Sequence, residues 1–485
     1  MWEGDIAGGY IVTVVLWLSG FFIIYFIVLD GFYLFFIGIG IANLRKYAHY
    51  VRVVDFRSLF RTSLAKPVSV LVPAFNEERT IIETVRSLLA LEYPQFEVLV
   101  IDDGSEDNTL KLLIEEFDLV ARGRVYQRRI STQPVTAVYE SRSHPNLTVA
   151  SKINGGKSDA LNCGINVCQY PYFCVLDADS ILERDALLKM IRPFLEEPET
   201  TVAVGGIIRV ANNCIVDFGN VKEVRMPTSW LALAQVAEYL QAFLATRVAF
   251  SELRAVLLIS GAFGMFHKGT VIEAGGYRTD TIGEDMELVV RINRILRKQR
   301  RPYRMFFTPE PVCWTEVPAD FASLSRQRRR WQKGLVDSLR FNAEMLFNPR
   351  YGRLGWFAMP FFLVFEMLGP IVELFGYVLM LIFLIVGVLS WYWFLLFLIL
   401  AAVFGFLITS CTILLEELSF HRYPRKRDLL WLLWGGFFFN FGFRQINAVW
   451  RTMATLEYLG GFRLWGRVRR VGFKTEAKPS TGTKS

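Results

Sequence analysis

The chain has 485 residues, of which 53% are hydrophobic, with a mean hydropathy of +0.32 and a formal net charge of +8. This composition excludes a purely soluble protein and leaves room for one soluble domain and several membrane spans. The basic residues cluster beside apolar runs, so the positive charge indicates contact with anionic lipids and argues against binding of nucleic acid.

The first apolar run, residues 11–42, predicts a retained N-terminal membrane anchor, residues 1–43. No Lys or Arg precedes this run, and it is longer than the apolar core of a cleavable signal peptide. Arg45 and Lys46 follow it, so the positive-inside rule places the polar middle of the chain in the cytosol. One tilted helix fits best; two short spans are the alternative, which would place the lysine-free N-terminus inside.

A linker, residues 44–65, leads to the predicted catalytic domain, residues 66–317. Residues 68–73 and 97–101 are apolar and predict strands, with an amphipathic helix at about 80–91 between them. This order is typical of an open α/β sheet that binds a nucleotide beyond the carboxyl ends of its strands. The chain has no GxGxxG or Walker sequence, so we expect a metal ion to handle the phosphates.

Acidic pairs follow two of the predicted strands. Asp102 and Asp103 come after the second strand, and Asp177 and Asp179 come after the apolar run 173–176. Asp177 and Asp179, two residues apart, can bind a divalent cation that bridges a nucleotide diphosphate. For each pair, a solvated acidic turn is the alternative interpretation.

Two further motifs begin predicted helices. Gly155 and Gly156 precede Lys157, and helix amides with a first-turn lysine suit an anionic phosphate, although an ordinary helix start has the same pattern. Glu284 and Asp285 open a second helix. An inverting transferase needs one carboxylate as general base, while acids at this position also favour the helix dipole.

A basic amphipathic helix carries Gln327, Arg330 and Trp331. Spacing of four residues places Gln327 and Trp331 on one face, with Arg330 beside them. A membrane-interface helix is the alternative interpretation. Residues 227–250 and 342–347 also predict interfacial helices. The four histidines form no cluster, which argues against a histidine metal site or triad.

Between two apolar ends, these motifs follow the order D, DxD, ED and QxxRW, so the chain resembles the membrane-embedded processive family 2 glycosyltransferases of the poly-N-acetylglucosamine, hyaluronan and cellulose synthase type. The resemblance implies an α/β fold, with a GT-A-type nucleotide-sugar-binding domain inserted between α-helical transmembrane segments. The stretch from Gly155 to Asn162 is similar to the GGKxxALN segment of the poly-N-acetylglucosamine type, which favours UDP-N-acetylglucosamine as the donor.

The resemblance also implies roles for individual residues. Asp285 would be the general base, with Glu284 beside it, and Asp177 and Asp179 would hold Mg²⁺ or Mn²⁺. Gln327 lies 42 residues after Asp285, near the separation usual in the family. The implied nucleotide-sugar contacts are Phe75, Glu77, Asp102, Asp103, Lys157, Asp177, Gln327, Arg330 and Trp331. The implied acceptor contacts are Ser260, Gly261 and Trp331.

The C-terminal part divides into residues 318–355 with the QxxRW motif, a transmembrane region at 356–450, and a basic tail at 451–485 whose end is predicted to be disordered. Residues 356–389 and 391–415 predict an out-and-back pair of spans. The last apolar run, 429–443, is short, and the number of spans stays open. The intramembrane polar residues are expected to face a cavity, to pair helices or to lie at interfacial depth. They are Glu366, Glu373, Asn440 and Arg444.

Together these features predict an inverting processive glycosyltransferase of the plasma membrane with its catalytic domain in the cytosol. It would extend a β-linked polysaccharide from a UDP-sugar and pass the polymer through its own spans. The expected partners are the growing polysaccharide, anionic lipids and accessory export or synthase subunits. A transferase that adds one sugar to a lipid and a non-enzymatic transporter or scaffold are the alternatives. The insert 122–154 is expected to form a lid or partner surface, and six scattered cysteines predict no disulfides.

Overall fold

The computed structural model describes residues 2–53, 66–217, 220–423 and 425–461. The second half of the predicted linker and the basic tail after residue 461 lie outside the described residues. Within these ranges the chain forms a large mixed sheet flanked by helices, followed by a set of mostly apolar helices.

Twelve strands are described, ten of them in one sheet of order β3-β4-β5-β2-β1-β6-β11-β8-β12-β7. A separate two-stranded ribbon pairs β9 with β10. The strands are β1 (Val68–Ala74), β2 (Phe96–Asp102), β3 (Leu119–Ala121), β4 (Val135–Ser141), β5 (Leu147–Lys152), β6 (Tyr172–Leu176), β7 (Ser180–Leu182), β8 (Thr201–Val210), β9 (Ile215–Asp217), β10 (Asn220–Glu223), β11 (Phe263–His267) and β12 (Arg304–Thr315).

The helices are α1 (Trp2–Val53), α2 (Ile81–Leu89), α3 (Thr109–Glu116), α4 (Lys157–Val167), α5 (Ala186–Glu196), α6 (Trp230–Leu240), α7 (Val248–Glu252), α8 (Lys268–Glu273), α9 (Glu284–Lys298), α10 (Phe321–Phe341), α11 (Met359–Phe361), α12 (Gly369–Ile385), α13 (Trp391–Leu398), α14 (Gly405–Ser419), α15 (Lys426–Phe438) and α16 (Arg444–Leu459). Five π-helical segments interrupt them, at Gln241–Arg247, Leu354–Ala358, Phe362–Met367, Ile399–Phe404 and Phe439–Phe443. Short 3₁₀ turns lie at Ala343–Met345 and Pro349–Tyr351.

The centre of the sheet is covered on both faces, as its sequence predicts. Along β1, Val70 and Val72 belong to one apolar core while Leu71 belongs to the other, because successive side chains point to opposite faces. β1 runs parallel to both β2 and β6, so the carboxyl ends of these three strands share one edge. The predicted strand–helix–strand order at the start of the domain is therefore confirmed within one or two residues.

The insert 122–154 forms a hairpin, in which β4 pairs antiparallel with β5, and β5 also pairs in parallel with β2. A role as a lid or partner surface stays a prediction, but the insert extends the central sheet. The reason is that β5 is a fully buried strand, Leu147–Lys152, whose backbone groups need partners on both sides.

Two described helices are long and apolar enough to cross a membrane, Thr13–Leu44 and Trp391–Ser419. The bent pair Leu354–Met367 and Gly369–Ile385, with a bend of 41°, brings the number to three if it counts as one span. The N-terminal run is one continuous helix, as predicted, but it continues to Val53 and crosses the expected boundary at residue 43. No Gly or Pro stands between residues 41 and 53 to end it.

The last apolar run is not among these candidate spans. Its helix α15 ends in a π-helical segment in which Phe441 and Gly442 leave helical geometry, and α16 then packs against α10. The predicted interfacial helix at 342–347 is only a 3₁₀ turn, because the chain reverses there with Phe347 at a positive φ of 54°. The helix predicted at 227–250 is present as α6, a π-helical segment and α7.

The sheet and the apolar helices are joined by a buried ion pair. Arg209 of β8 donates a 2.5 Å hydrogen bond to Glu416 of α14, and the two side chains are 1% and 0% exposed. A charge buried this deeply is stable only with its partner in place. The strand and the helix are therefore held in one relative position.

Candidate active site

The strand register brings two predicted motifs together. β11 runs antiparallel to β6, with Phe263 opposite Leu176, so the residues before β11 meet the residues after β6. Ser260 and Gly261 therefore lie beside Asp177. A cavity of about 940 Å³ opens at this point, and all three residues line it.

Lys157 lies in the first turn of α4 and reaches into this cavity. Its Nζ is 2.5 Å from Oδ1 of Asp177, 3.5 Å from the carbonyl oxygen of Gly261 and 3.8 Å from Oε1 of Glu284. Gly156 has a φ of +86°, which lets the chain turn sharply into the helix. Burial alone would lower the pKa of Lys157, but the carboxylates of Asp177 and Glu284 outweigh burial and raise it.

Asp285 is held in place by the backbone. Its Oδ2 accepts a 2.9 Å hydrogen bond from the amide of Gly261, and its Oδ1 accepts a 2.8 Å bond from the amide of Met286. The carboxylate lines the cavity. Glu284 is more deeply buried, and burial raises its pKa although Lys157 and Arg330 oppose the shift. Of the two acids, Asp285 has its carboxylate fixed by two backbone donors.

A close approach of two backbone segments brings α10, the helix with the QxxRW motif, next to Asp285. Gly283, just before α9, touches Gly334 of α10, and a Cβ added to Gly283 would lie 2.7 Å from the Cα of Gly334. Real Cβ atoms do not approach backbone atoms this closely, so both positions need glycine. This close approach explains why α10 can present its side chains beside Asp285.

Gln327, Arg330 and Trp331 all line the cavity. Arg330 lies 3.7 Å from Glu284, and Trp331 is 46% exposed. The neighbouring Arg328 stacks 4.4 Å above the Trp331 ring and donates a 2.6 Å bond to Glu238 of α6. The tryptophan ring is therefore fixed by a cation over one face, and nearly half of the side chain stays exposed.

Asp102 and Asp103 have a different environment and lie outside the lining of this cavity. Both are only 2% exposed. Asp103 accepts hydrogen bonds from Lys152 (2.5 Å), the amide of Gly156 (2.7 Å) and the amide of Gly155 (3.1 Å). Burial raises its pKa, while the bond from Lys152 opposes the shift. Asp102 accepts from the amide of Ser105 (3.2 Å) and the hydroxyl of Ser151 (3.1 Å).

The loop with Phe75 and Glu77 follows β1 at the same edge of the sheet, also outside the cavity lining. Oε2 of Glu77 accepts a 2.9 Å bond from the Thr80 hydroxyl, and its amide donates a 2.8 Å bond to the Thr109 hydroxyl. Asn76 between them has a positive φ of 57°. The loop is thus held at the strand end where a nucleotide is expected.

The residues present fit a divalent metal ion carried by a nucleotide. Asp177 and Asp179 both line the cavity. In the described ranges, no group of three or more His, Cys, Asp or Glu residues could hold a metal alone. Mg²⁺ and Mn²⁺ are commonly bound by one or two carboxylates plus phosphate oxygens, which is the donor set this site would offer with a diphosphate.

The cavity continues toward the apolar helices. Its lining includes Glu366, Glu373 and Arg444, three of the polar residues that sequence reasoning singled out. Arg444 makes two bonds to Glu373, of 2.5 and 3.0 Å. Asn440 instead bonds the hydroxyl of Thr409 at 3.0 Å, so it pairs helices. Glu373 and Arg444 thus line the cavity and also pair α12 with α16, whereas Asn440 pairs helices outside the cavity lining.

Sequence reasoning missed Arg247, which ends the π-helical segment before α7. Its guanidinium lies 4.0 Å from the centre of the Phe243 ring and lines the cavity, and its Nη1 has no hydrogen-bond partner among the described residues. Burial lowers its pKa to about 10, although Asp285 opposes the shift. The available signal was a lone arginine within the apolar helical run 230–252.

Lys152 and Glu238 were also missed. Lys152 is fully buried and pairs with Asp103 and, at 2.7 Å, with Asp159. Glu238 holds Arg328. Neither residue belongs to a recognisable motif, because each acts on a motif residue distant in the sequence. All six cysteines are free thiols.

Comparison with known proteins finds similarity to glycosyltransferases. Residues 69–243 match glycosyl transferase family 2, and residues 172–408 match glycosyl transferase family group 2. Poly-beta-1,6-N-acetyl-D-glucosamine synthases of Staphylococcus epidermidis and Staphylococcus aureus (strain COL) are 28% and 29% identical over 267 residues. In both cases the match covers 55% of this chain and 54% of the relative, so the chain spans about half the length of the curated relatives it matches.

Among solved structures, a mannosyltransferase of Pyrobaculum calidifontis in complex with GDP-Man and Mn²⁺ matches with a TM-score of 0.50. It is 16% identical, and the match covers 87% of this chain and 98% of that chain. This likeness concerns the fold alone. The chain is therefore similar to family 2 glycosyltransferases over residues 69–408 and has a GT-A-like mixed α/β sheet.

Proposed function

We propose that the protein is an inverting, processive glycosyltransferase that adds N-acetylglucosamine from UDP-N-acetylglucosamine to the non-reducing end of a β-linked polysaccharide. The observation that carries the proposal is one continuous cavity. It contains Asp177 and Lys157 at the strand ends, Asp285 and Trp331 in its middle, and Glu373 with Arg444 between the apolar helices. The synthase name of the staphylococcal relatives supports the choice of sugar.

Asp285 is the proposed general base. Its carboxylate takes the proton of the acceptor hydroxyl, whose oxygen then bonds to the anomeric carbon of the donor from the face opposite the diphosphate. The bond between that carbon and the diphosphate oxygen breaks, and UDP leaves with the electron pair. Hydrogen bonds from the amides of Gly261 and Met286 keep the carboxylate oriented for the proton transfer.

Positive side chains surround the proposed position of the leaving group. Lys157 and Arg330 each lie within 4 Å of Glu284, at the wall of the cavity next to Asp177. A bound Mg²⁺ or Mn²⁺, held by Asp177 and Asp179, would neutralise the charge that develops on the diphosphate. The exposed face of Trp331 would support the acceptor sugar, and Ser260 and Gly261 would border it. Asp102, Asp103, Phe75 and Glu77 would position the uridine end.

Processive synthesis and export belong to the same proposal. The polar wall formed by Glu366, Glu373 and Arg444 lies among the apolar helices, where buried charge usually faces a water-filled path. A polymer that leaves Trp331 would pass into the part of the cavity that these residues line. The catalytic domain would face the cytosol, where nucleotide sugars occur, with several helices in the plasma membrane and the basic residues against anionic lipids.

The test is a transfer assay with the whole chain in membranes. Labelled UDP-N-acetylglucosamine and, separately, UDP-glucose are supplied with Mg²⁺ or Mn²⁺, and the labelled product is sized. Asp285→Asn serves as the blank. A high-molecular-weight product from UDP-N-acetylglucosamine supports the proposal. A lipid carrying a single sugar would instead indicate a non-processive transferase, and absence of transfer from any donor would favour a scaffold or transporter.

A further inference from the structure

Lys157 forms an ion pair with Asp177, the carboxylate that a metal ion would need. Its Nζ lies 2.5 Å from Oδ1 of Asp177, which is the shortest of its contacts in the cavity wall. Both side chains are about one quarter exposed, at 28% and 26%, so the pair faces the cavity. A charge-assisted bond of this length uses the lone pairs with which the carboxylate would bind a cation.

An ammonium and a divalent ion at the same carboxylate oxygen repel each other. Asp177 and Asp179 are the acids proposed to hold the metal ion, so a metal ion that binds there alone must displace Lys157 or share Asp177 with it. A diphosphate changes this balance, because it offers Lys157 new anionic partners. Lysine has a flexible four-carbon stem, and Lys157 stands in the first turn of α4, where phosphate is favoured.

We propose that Lys157 is an internal counter-cation that holds the metal position at Asp177 in the nucleotide-free protein and transfers to the diphosphate when the donor binds. Metal ion and nucleotide would then bind together and only weakly apart. This inference rests on the proposed function, because it assumes a nucleotide donor. Lys157 would thus lower the affinity for the metal ion alone and raise the affinity for the nucleotide, in addition to contacting phosphate.

The proposed role of Lys157 predicts coupled binding of metal ion and nucleotide, which can be measured without catalysis. If Lys157 competes with the metal ion and attracts the nucleotide, each ligand raises the affinity for the other by the same factor. Replacing Lys157 by methionine removes the charge but keeps an unbranched side chain. The variant should bind Mn²⁺ alone about tenfold more tightly and UDP alone about tenfold more weakly, and the coupling between the two should fall.

The experiment uses the full chain, purified in lipid nanodiscs. Free Mn²⁺ is measured by electron paramagnetic resonance, and UDP binding is measured by calorimetry, each with and without the other ligand. Lys157→Arg retains the charge and should keep the low Mn²⁺ affinity of the unchanged protein. Lys298→Met is the matched control, because it removes a lysine from an exposed pair with Glu344 (2.8 Å) remote from the cavity. A Lys157→Met/Asp177→Asn double variant should lose the gained Mn²⁺ affinity.

The outcomes separate the inference from the proposed function. Tighter Mn²⁺ binding in Lys157→Met, unchanged in Lys298→Met and reversed by Asp177→Asn, supports the inference. Unchanged or weaker Mn²⁺ binding in a Lys157→Met protein with an unchanged unfolding temperature overturns it, even if the unchanged protein transfers sugar. If Lys157→Met unfolds, equally low Mn²⁺ affinity in a folded Lys157→Gln protein overturns it. Failure of the unchanged protein to bind UDP or transfer sugar contradicts the proposed function instead.

Discussion

Two acidic pairs follow the strands on either side of β1, and they have similar sequence contexts but different environments. The covered pair, Asp102 and Asp103, ends β2 with each residue 2% exposed, and its oxygens accept bonds from Lys152, serine and glycine donors. The cavity pair, Asp177 and Asp179, follows β6 and lines a cavity of about 940 Å³. Adjacent acids after an apolar strand therefore do not by themselves indicate a ligand-facing site.

The contrast comes from the number of donors that the protein itself supplies. Asp103 has an ammonium and two backbone amides within 3.1 Å, so its bonding capacity is largely used within the fold. Asp177 has one short contact, to a lysine that can move. We expect substitutions in the covered pair to affect stability first and substitutions around the cavity to affect transfer first.

The largest expected effect on the cavity side is that of Asp285→Asn. Loss of the general base should lower kcat by about 10²–10⁴-fold, while the amide keeps one oxygen to accept a backbone bond. Labelled transfer in membranes measures the rate, and UDP binding should change little. An Asp285→Asn protein with more than a tenth of the original rate would remove Asp285 from the proposed role.

Asp177→Asn should have the next largest effect. Removing this charge should lower transfer by at least about 10²-fold at fixed Mn²⁺, because the leaving diphosphate loses the support of a bound metal ion. The unfolding temperature should change little, since Asp177 is partly exposed. A large loss of stability with preserved transfer would show that Asp177 has the structural role that we assign to the covered pair.

Asp103→Asn is the matched substitution in the covered pair. It leaves Lys152 buried with Asp159 alone and weakens the bonds to Gly155 and Gly156. The free energy of unfolding should fall by about 1–3 kcal/mol, seen as a lower unfolding temperature in detergent. Residual activity per folded molecule should exceed that of Asp177→Asn. Equal stability of the Asp103→Asn and unchanged proteins would show that the covered pair is not structural.

Glu310 is an intermediate case: its side chain is 18% exposed, and it forms an ion pair with Lys189 at 3.8 Å. Burial raises its pKa to about 7 from an ordinary 4.5, although Arg422 opposes the shift. The folded state therefore keeps a proton that the unfolded chain releases. The stability contribution is complete below pH about 4.5 and is lost as the pH rises to about 7.

The smallest predicted effect follows from this titration. Glu310→Gln should flatten the fall in unfolding temperature between pH 5 and 7, by about 2 °C over that range. Melts at several pH values, with the exposed Glu344→Gln as control, measure the difference. A parallel pH dependence in Glu310→Gln and unchanged proteins would contradict the raised pKa.

The sequence predicted the parts of the site that depend on local pattern. Alternation along β1 and β2, acids after strands and the i, i+4 face of Gln327 and Trp331 all follow from residue spacing. What it could not predict depends on residues distant in the chain. Lys152 reaches Asp103 from 49 positions away. Arg247 lines the cavity only because its π-helical segment packs against β8 and β12. The place of the insert in the sheet could not be predicted, because its pairing with β2 is also non-local.

The ion pair between Arg209 and Glu416 has a practical consequence for anyone who wishes to isolate the sheet domain. Cutting away the apolar helices would leave the guanidinium of Arg209, 1% exposed in the intact chain, without its carboxylate. A detached domain would also expose the apolar surface that α6 buries against α15. A water-soluble fragment carrying only the transferase fold should therefore aggregate, unless Arg209 and that surface are redesigned together.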